Sequence, residues 1–256
     1  MVENNLGYDS TQADVRCLLG DQGTGKTNTA VALVVDDCYA HLTGIINPKT
    51  GEYYKARPLN ENEQKFLASK KIAYHNLKHI RVFGNDGSSK IVVKPAGWVI
   101  DSPIKVFANF HFYGIRFRYI EVETIIENIN SDLLMNGWIV LDESILTDKR
   151  DTMTTVGKMM AWFGAQARRR KLHMIIIAQY ANMLQSRFNL FATTRVQCSY
   201  DKNSHIISLD VNRTSEFMSN VDFYAPDYWK FFKHDELVKV PQSRVDKVMA
   251  EFYNKK

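Results

Sequence analysis

The chain has 256 residues, 45% apolar and 24% charged, an ordinary globular composition that suits one large α/β domain with an insertion or with a small appendage. Its formal net charge is +5. No apolar run approaches the about 18 residues of a membrane span, and the N-terminus lacks a basic region followed by an apolar core, so neither a transmembrane nor a secretory protein is expected.

In chain order, residues 1–14 are polar and aperiodic and read as an N-terminal arm. Residues 15–19 read as a short buried strand. Gly20-Asp21-Gln22-Gly23-Thr24-Gly25-Lys26-Thr27 follows and fits the phosphate-loop pattern G-x-x-x-x-G-K-[ST] at every fixed position. Glycines let the backbone curl so that successive N–H groups face phosphate oxygens. Lys26 reaches the β- and γ-phosphates, and the Thr27 hydroxyl suits Mg²⁺. Residues 27–40, rich in Ala, Val and Leu, predict a helix, so the loop sits at a helix N-terminus, where the dipole favours anions. Gly20 through Asn28 are the candidate nucleotide-binding residues.

Residues 42–97 are harder to assign. Ile80–Phe83 and Ile91–Val93 flank Asn85-Asp86-Gly87 and predict short strands about a turn, and residues 61–73 an amphipathic piece; the region reads as an insertion on the core. His75 and His79 read as a solvated helix face rather than a metal site. Residues 105–110 and 116–120 predict a hairpin or a strand with a short extension. Val122, Ile125, Ile126, Ile129 and Leu133 have helical spacing over 121–134, with Asn136-Gly137 as the stop signal.

Residues 138–141 form an apolar strand ending in Asp142-Glu143, a helix is expected over about 155–170, and residues 172–178 form another apolar strand, His173 apart, ending in Gln179. Residues 195–200 and 204–209 predict a late hairpin turning at 201–203, and the C-terminal extension from 221 is aromatic-rich with an amphipathic helix near 243–253. Strand–helix alternation of this kind predicts a parallel sheet covered on both faces. Cys17, Cys38 and Cys198, odd in number and each in apolar context, read as buried free thiols.

A buried strand ending in Asp142 can hold a carboxylate beside Mg²⁺ next to Thr27, and the adjacent Glu143 can orient water for attack on the γ-phosphate; the plain alternative is a surface turn. Gln179, at the carboxyl end of a strand, can bond the γ-phosphate or the water, or simply cap the strand. Nine Lys or Arg fall between Lys149 and Arg195 with Asp151 the only acid, which suits a polyanionic partner, the nucleotide included. Within that stretch Arg168-Arg169-Arg170-Lys171 read either as a solvated helix end or as the source of an arginine finger for a neighbouring subunit.

Together these motifs resemble the FtsK–HerA superfamily of P-loop motor ATPases, most nearly the genome-packaging ATPases of tailless membrane-containing viruses and the Zot-type assembly ATPases of filamentous phages. The matching segments are Gly20 to Thr27, Ile139 to Glu143, and Ala167 to Gln179. The resemblance covers roughly residues 15–201 and is weak over 42–97. It implies a RecA-like (ASCE) core with a mostly parallel sheet over about 15–220, ATP and Mg²⁺ as cofactors, and Asp142 with Thr27 on the metal. Glu143 becomes the catalytic carboxylate, Gln179 the sensor, and Arg168 the trans-acting arginine, with Arg169, Arg170 and Arg195 as alternatives. It further implies a pentameric or hexameric ring acting on double-stranded DNA, with a capsid vertex or membrane protein as a further partner, in the host cytoplasm or virion. Asn109 matches a polar position of Zot-like relatives, or caps a strand. A run of Arg169, Arg170 and Lys171 departs from the small residues usual after the family's finger. The reading that follows is an ATP-driven DNA translocase that packages a viral genome. Its rivals are an assembly or extrusion ATPase, a nucleotide-gated structural protein and a small-molecule kinase.

Overall fold

The computed structural model describes residues 13–69, 80–84, 86–92, 97–128, 130–142, 162–179, 192–213 and 216–233. Glu143, most of the arm, His75 and His79, the greater part of the basic stretch and the expected C-terminal helix lie outside these residues.

Eight strands form the main sheet. They are β1 (Val15–Leu19), β7 (Lys105–Ala108), β8 (Arg118–Tyr119), β9 (Gly137–Leu141), β10 (Leu172–Ile177), β11 (Thr194–Asp201), β12 (Ile206–Arg213) and β13 (Glu216–Tyr224), in the order β13-β12-β11-β1-β10-β9-β7-β8. Pairings from β11 through β8 are all parallel, and β12 and β13 close one side as an antiparallel meander. The fold is therefore α/β with a mostly parallel main sheet. Strands β9 and β10 are buried at every residue, as apolar runs covered on both faces must be. Alternate side chains feed two cores: Leu18, Trp138, Val140, Ile175 and Ile177 on one face, and Cys17, Ile139, Leu141, Met174 and Ile176 on the other.

Helix α1 (Lys26–Ala40) lies across the first face and is buried from Asn28 to Tyr39. A helix apolar on nearly all sides needs cover on both. The second cover is a five-stranded antiparallel sheet, order β5-β4-β3-β2-β6, built from β2 (Gly44–Ile46), β3 (Tyr53–Pro58), β4 (Ile80–Phe83), β5 (Ser89–Val92) and β6 (Val99–Asp101). Its Ile45, Val82 and Ile100 join the same core as α1. Helix α2 (Glu61–Ser69) is fastened to this sheet by Glu63, whose carboxylate accepts from Arg57 and lies 3.0 Å from Arg81, while Asn60 and Glu63 form a reciprocal cap.

Three expectations are corrected. Strands β7 and β8 pair in parallel, so 105–120 is no hairpin. Helix α3 is only Val122–Glu127. It stops because Asn128 turns its side-chain amide back onto the Thr124 carbonyl and Ser131 bonds the Asn128 carbonyl, local bonds that compete with helix propagation. Asn136-Gly137 is then the turn into β9 rather than a helix end, with Asn136 at φ 55°. The hairpins β4–β5 and β11–β12 pair as expected, and Cys17, Cys38 and Cys198 are free and buried. Burial pushes the Cys17 and Cys38 thiols up to about 12. Among the described residues, no helix is long and apolar enough to cross a membrane.

Polar bonds pin the buried helix. Trp138 Nε1 donates to Asp37 Oδ2 at 2.7 Å, its ring stacked on His173, and the Tyr228 hydroxyl donates to Asp36. Burial raises the Asp37 carboxyl above its ordinary 3.8, and the Trp138 bond opposes that rise. A raised folded-state value means that the contribution of Asp37 to stability is fully present below its ordinary 3.8 and is lost as pH climbs through the folded value. Trp138→Phe removes the opposing bond. We expect it to lower stability by about 1–3 kcal/mol at pH 7, and by less near pH 4, in urea titrations at the two pH values.

Candidate functional site

The site lies at the carboxyl end of β1, where Gly20 to Gly25 turn the chain into α1. Two glycines are obligatory on geometric grounds. Gly20 has φ +144°, and a Cβ there would meet the Cys198 carbonyl at 2.7 Å. Gly25, at φ +87°, is the α1 N-cap, and a Cβ there would meet Ile207 Cδ1 at 2.4 Å. The loop is braced by Thr24 bonding the Asp21 carbonyl through both hydroxyl and N–H, and by Gly20 N–H donating to the Gln179 carbonyl. Asp21, Gln22 and Gly23 are exposed on its outside. No side chain caps the first turn of α1 and no acid lies in it, so the helix presents its N–H groups and the positive end of its dipole to the loop. Lys26 Nζ lies within the loop, donating to the Gly20 carbonyl at 2.7 Å and to the Asp21 carbonyl at 2.6 Å. These are the features of an anion-binding cradle.

Across the loop, Thr27 Oγ1 donates to Asp142 Oδ2 at 2.5 Å, joining residues 115 apart in sequence. Asp142 follows β9, and β10 stands between β9 and β1, so this bond spans an intervening strand. A hydroxyl and a carboxylate so placed are hard oxygen ligands that fit Mg²⁺. Among the described residues, no cluster of three His, Cys, Asp or Glu gathers elsewhere to hold a metal.

Asp142 is itself held. Asn109, one residue past β7, donates its side-chain Nδ2–H to the Asp142 carbonyl and accepts the Asp142 N–H on Oδ1, both at 2.8 Å. The side chain thus extends the β7–β9 ladder by one rung and fixes the backbone that carries the carboxylate. It does cap a strand end, but the strand it serves is its neighbour.

The remaining sequence candidates divide. Gln179 follows β10 at the loop end of the sheet, half-buried, its carbonyl on Gly20. Asn28 is 3% exposed, with its side-chain amide donating to the Ala225 carbonyl, so that side chain serves the fold and only its main chain faces the loop. Arg168, Arg169 and Lys171 are exposed at the opposite pole of the sheet, before β10. Six strand residues at about 3.3 Å each put roughly 20 Å between that pole and Gln179. Arg170 is committed to its own chain through the Ser131 carbonyl and the Phe163 ring. Arg195 is exposed near the amino end of β11, in register with Cys17, again away from the loop. Sequence reasoning missed the bonds of Asp36, Asp37 and Asn28, since nothing local in Asn28 or Asp36-Asp37 marks partners so far along the chain.

No family model matches this sequence, and no curated protein matches it. Among solved structures, the N-terminal domain of zonular occludens toxin from Neisseria meningitidis is similar at a TM-score of 0.51 and 11% identity, over 87% of this chain and all of that one. The likeness is one of fold, α/β with a mostly parallel main sheet. The genome packaging NTPase B204 from Sulfolobus turreted icosahedral virus 2, solved with ATP-gammaS, also matches, at a TM-score of 0.43 and 8% identity over 81% of this chain and 96% of that one.

Asn109→Ala strips both partners from the Asp142 backbone. We expect a loss of about 1–3 kcal/mol in denaturant unfolding and faster hydrogen exchange at the Asp142 amide. Gly25→Ala combines a positive φ with contact against Ile207, and we expect it to abolish binding of inorganic tripolyphosphate by the loop in calorimetry.

Proposed function

We propose that the protein is an ATP-hydrolysing motor that translocates double-stranded DNA, most specifically in packaging a viral genome. The observation that carries the nucleotide-hydrolysing part is the Thr27–Asp142 bond across β10, which joins the phosphate loop to an acidic strand end. Gly20 to Thr27 bind the triphosphate, Lys26 turning from the loop carbonyls to the phosphates. Thr27 and Asp142 are the residues that would hold Mg²⁺, whose role is to neutralise phosphate charge. Glu143, directly after Asp142, activates water. Gln179, leaving the central strand beside the loop, senses the γ-phosphate. The DNA part rests on the motif resemblance and on the basic stretch from Lys149 to Arg195.

Arg168 sits at the pole of the sheet away from its own loop, so as a finger it can act only on the nucleotide of another copy. The assembly that repeats this contact from copy to copy is a ring with heterologous interfaces, pentameric or hexameric in this reading.

The test is phosphate release from ATP with and without long double-stranded DNA, with Glu143→Gln as the blank. We expect release to rise with DNA and to fall by at least about 100-fold in the variant. Hydrolysis indifferent to DNA would favour an assembly ATPase instead. Mixing Arg168→Ala with Glu143→Gln subunits should restore part of the activity each lacks alone, because a finger and a carboxylate from different chains then complete one site.

A further inference from the structure

The β11–β12 tip overhangs the loop on the flank away from Asp142. Leu19 is in register with Gln197, so Cys198 to Asp201 run on past the end of β1. The loop backbone lies directly against this overhang, at Cys198 beside Gly20 and at Ile207 beside Gly25. Ile207 opposes Tyr200 across the ladder, so the two side chains are neighbours on one face.

Tyr200 packs against the core, and around it stands an aromatic cluster. The Tyr200 hydroxyl and His205 Nδ1 share a 2.8 Å hydrogen bond, and the two rings lie nearly parallel at 26° with centroids 6.3 Å apart. His205 meets Trp229 edge-on at 5.5 Å and Tyr224 at 6.4 Å. Tyr224 is 42% exposed and Trp229 37%. Their positions are nonetheless fixed. His205 takes φ 58° in the hairpin turn and its carbonyl accepts the Ala225 N–H, while Ala225 in turn binds Asn28 of α1.

We propose that Tyr200, His205, Tyr224 and Trp229 form the seat for the nucleobase of the triphosphate bound by the loop, a proposal that rests on reading the loop as a nucleotide site. The direction follows from Asp142. Its bond to Thr27 marks the metal and terminal-phosphate end on the β9 side of β1, so a nucleotide lying along the loop extends its other end over β11 and β12. There it meets the exposed rings of Tyr224 and Trp229 beside the half-buried Tyr200–His205 pair, and aromatic rings take bases by stacking whatever their hydrogen-bonding edges.

The test compares binding of ATP and of inorganic tripolyphosphate, each with Mg²⁺, to the full chain by calorimetry. The wild type should bind ATP at least about tenfold more tightly than tripolyphosphate. His205→Gly removes a ring while tolerating the positive φ, and Trp229→Ala removes an exposed one. Each should shrink that preference to about threefold or less, with tripolyphosphate affinity held, which also reports an intact loop. Lys26→Ala should instead weaken both probes together. If the wild type binds the two probes equally, or both ring variants keep the full preference, the base seat is overturned while the loop reading stands. If neither probe binds the wild type, the nucleotide reading fails and the seat fails with it.

Discussion

The carboxylate of Asp142 is where three separate parts of the chain are made to agree. Thr27 reaches it from the first turn of α1, Asn109 holds its backbone from the end of β7, and β9 delivers it from the middle of the sheet. None of these parts is near another in sequence. What brings them together is the parallel sheet, because parallel strands end on the same side and their carboxyl ends form one floor. The cost of ordering the loop is spread over this floor, with Gly20 tied to Gln179 behind β10 and Gly25 packed on Ile207 of β12. The site is thus a property of six adjacent strands, β12 through β7, and the G-x-x-x-x-G-K-T pattern supplies only its centre.

Much of that centre was legible in the sequence because its signals are local. A glycine pattern, an apolar strand before it and a buried helix after it need no knowledge of distant partners. The runs in β9 and β10 announced double-sided burial for the same reason, and a turn at 201–203 announced the β11–β12 hairpin. Pairing direction was not legible: residues 105–108 and 118–119 are equally strand-like in either sense, and here they are parallel. The second sheet was only glimpsed, as one hairpin, because its five strands are three to six residues long and half-buried, so periodicity has little room to show. Helix α3 was overextended because the apolar spacing continues beyond Glu127, while the Asn128 and Ser131 bonds that end the helix leave hydrophobic pattern untouched.

Charge was the least informative signal. Four adjacent cations from Arg168 to Lys171 look like one patch, yet Arg170 is engaged with Ser131 and Phe163 while Arg168 and Arg169 face solvent. Buried polar residues were equally mute. Asp36 and Asp37 look like a solvated stripe until Trp138 and Tyr228 are seen to satisfy them, and Asn28, next to the loop threonine, turns to the chain's far end. Apolar pattern reports which face is inside, but the partner of a buried polar group is a matter of topology.

That topology has a consequence for how the chain comes to be folded. Strand β1 is synthesised well before the strands it pairs with, for it lies between β10 and β11, and Asp14 at its base is bonded to Thr194, 180 residues later. Helix α1 likewise waits for Ala225, 197 residues on, to bond Asn28. The apolar strand therefore leaves the ribosome long before its pairing strands exist, whereas the helix meets β2 of its covering sheet within a few residues. The main sheet cannot be completed by nearby neighbours of β1, so its assembly is late and slow, dominated by long-range closure. The arrangement that gathers these strands around the loop leaves nascent β1 exposed to mispairing until β10 and β11 have followed it, and dependent on whatever shields it meanwhile.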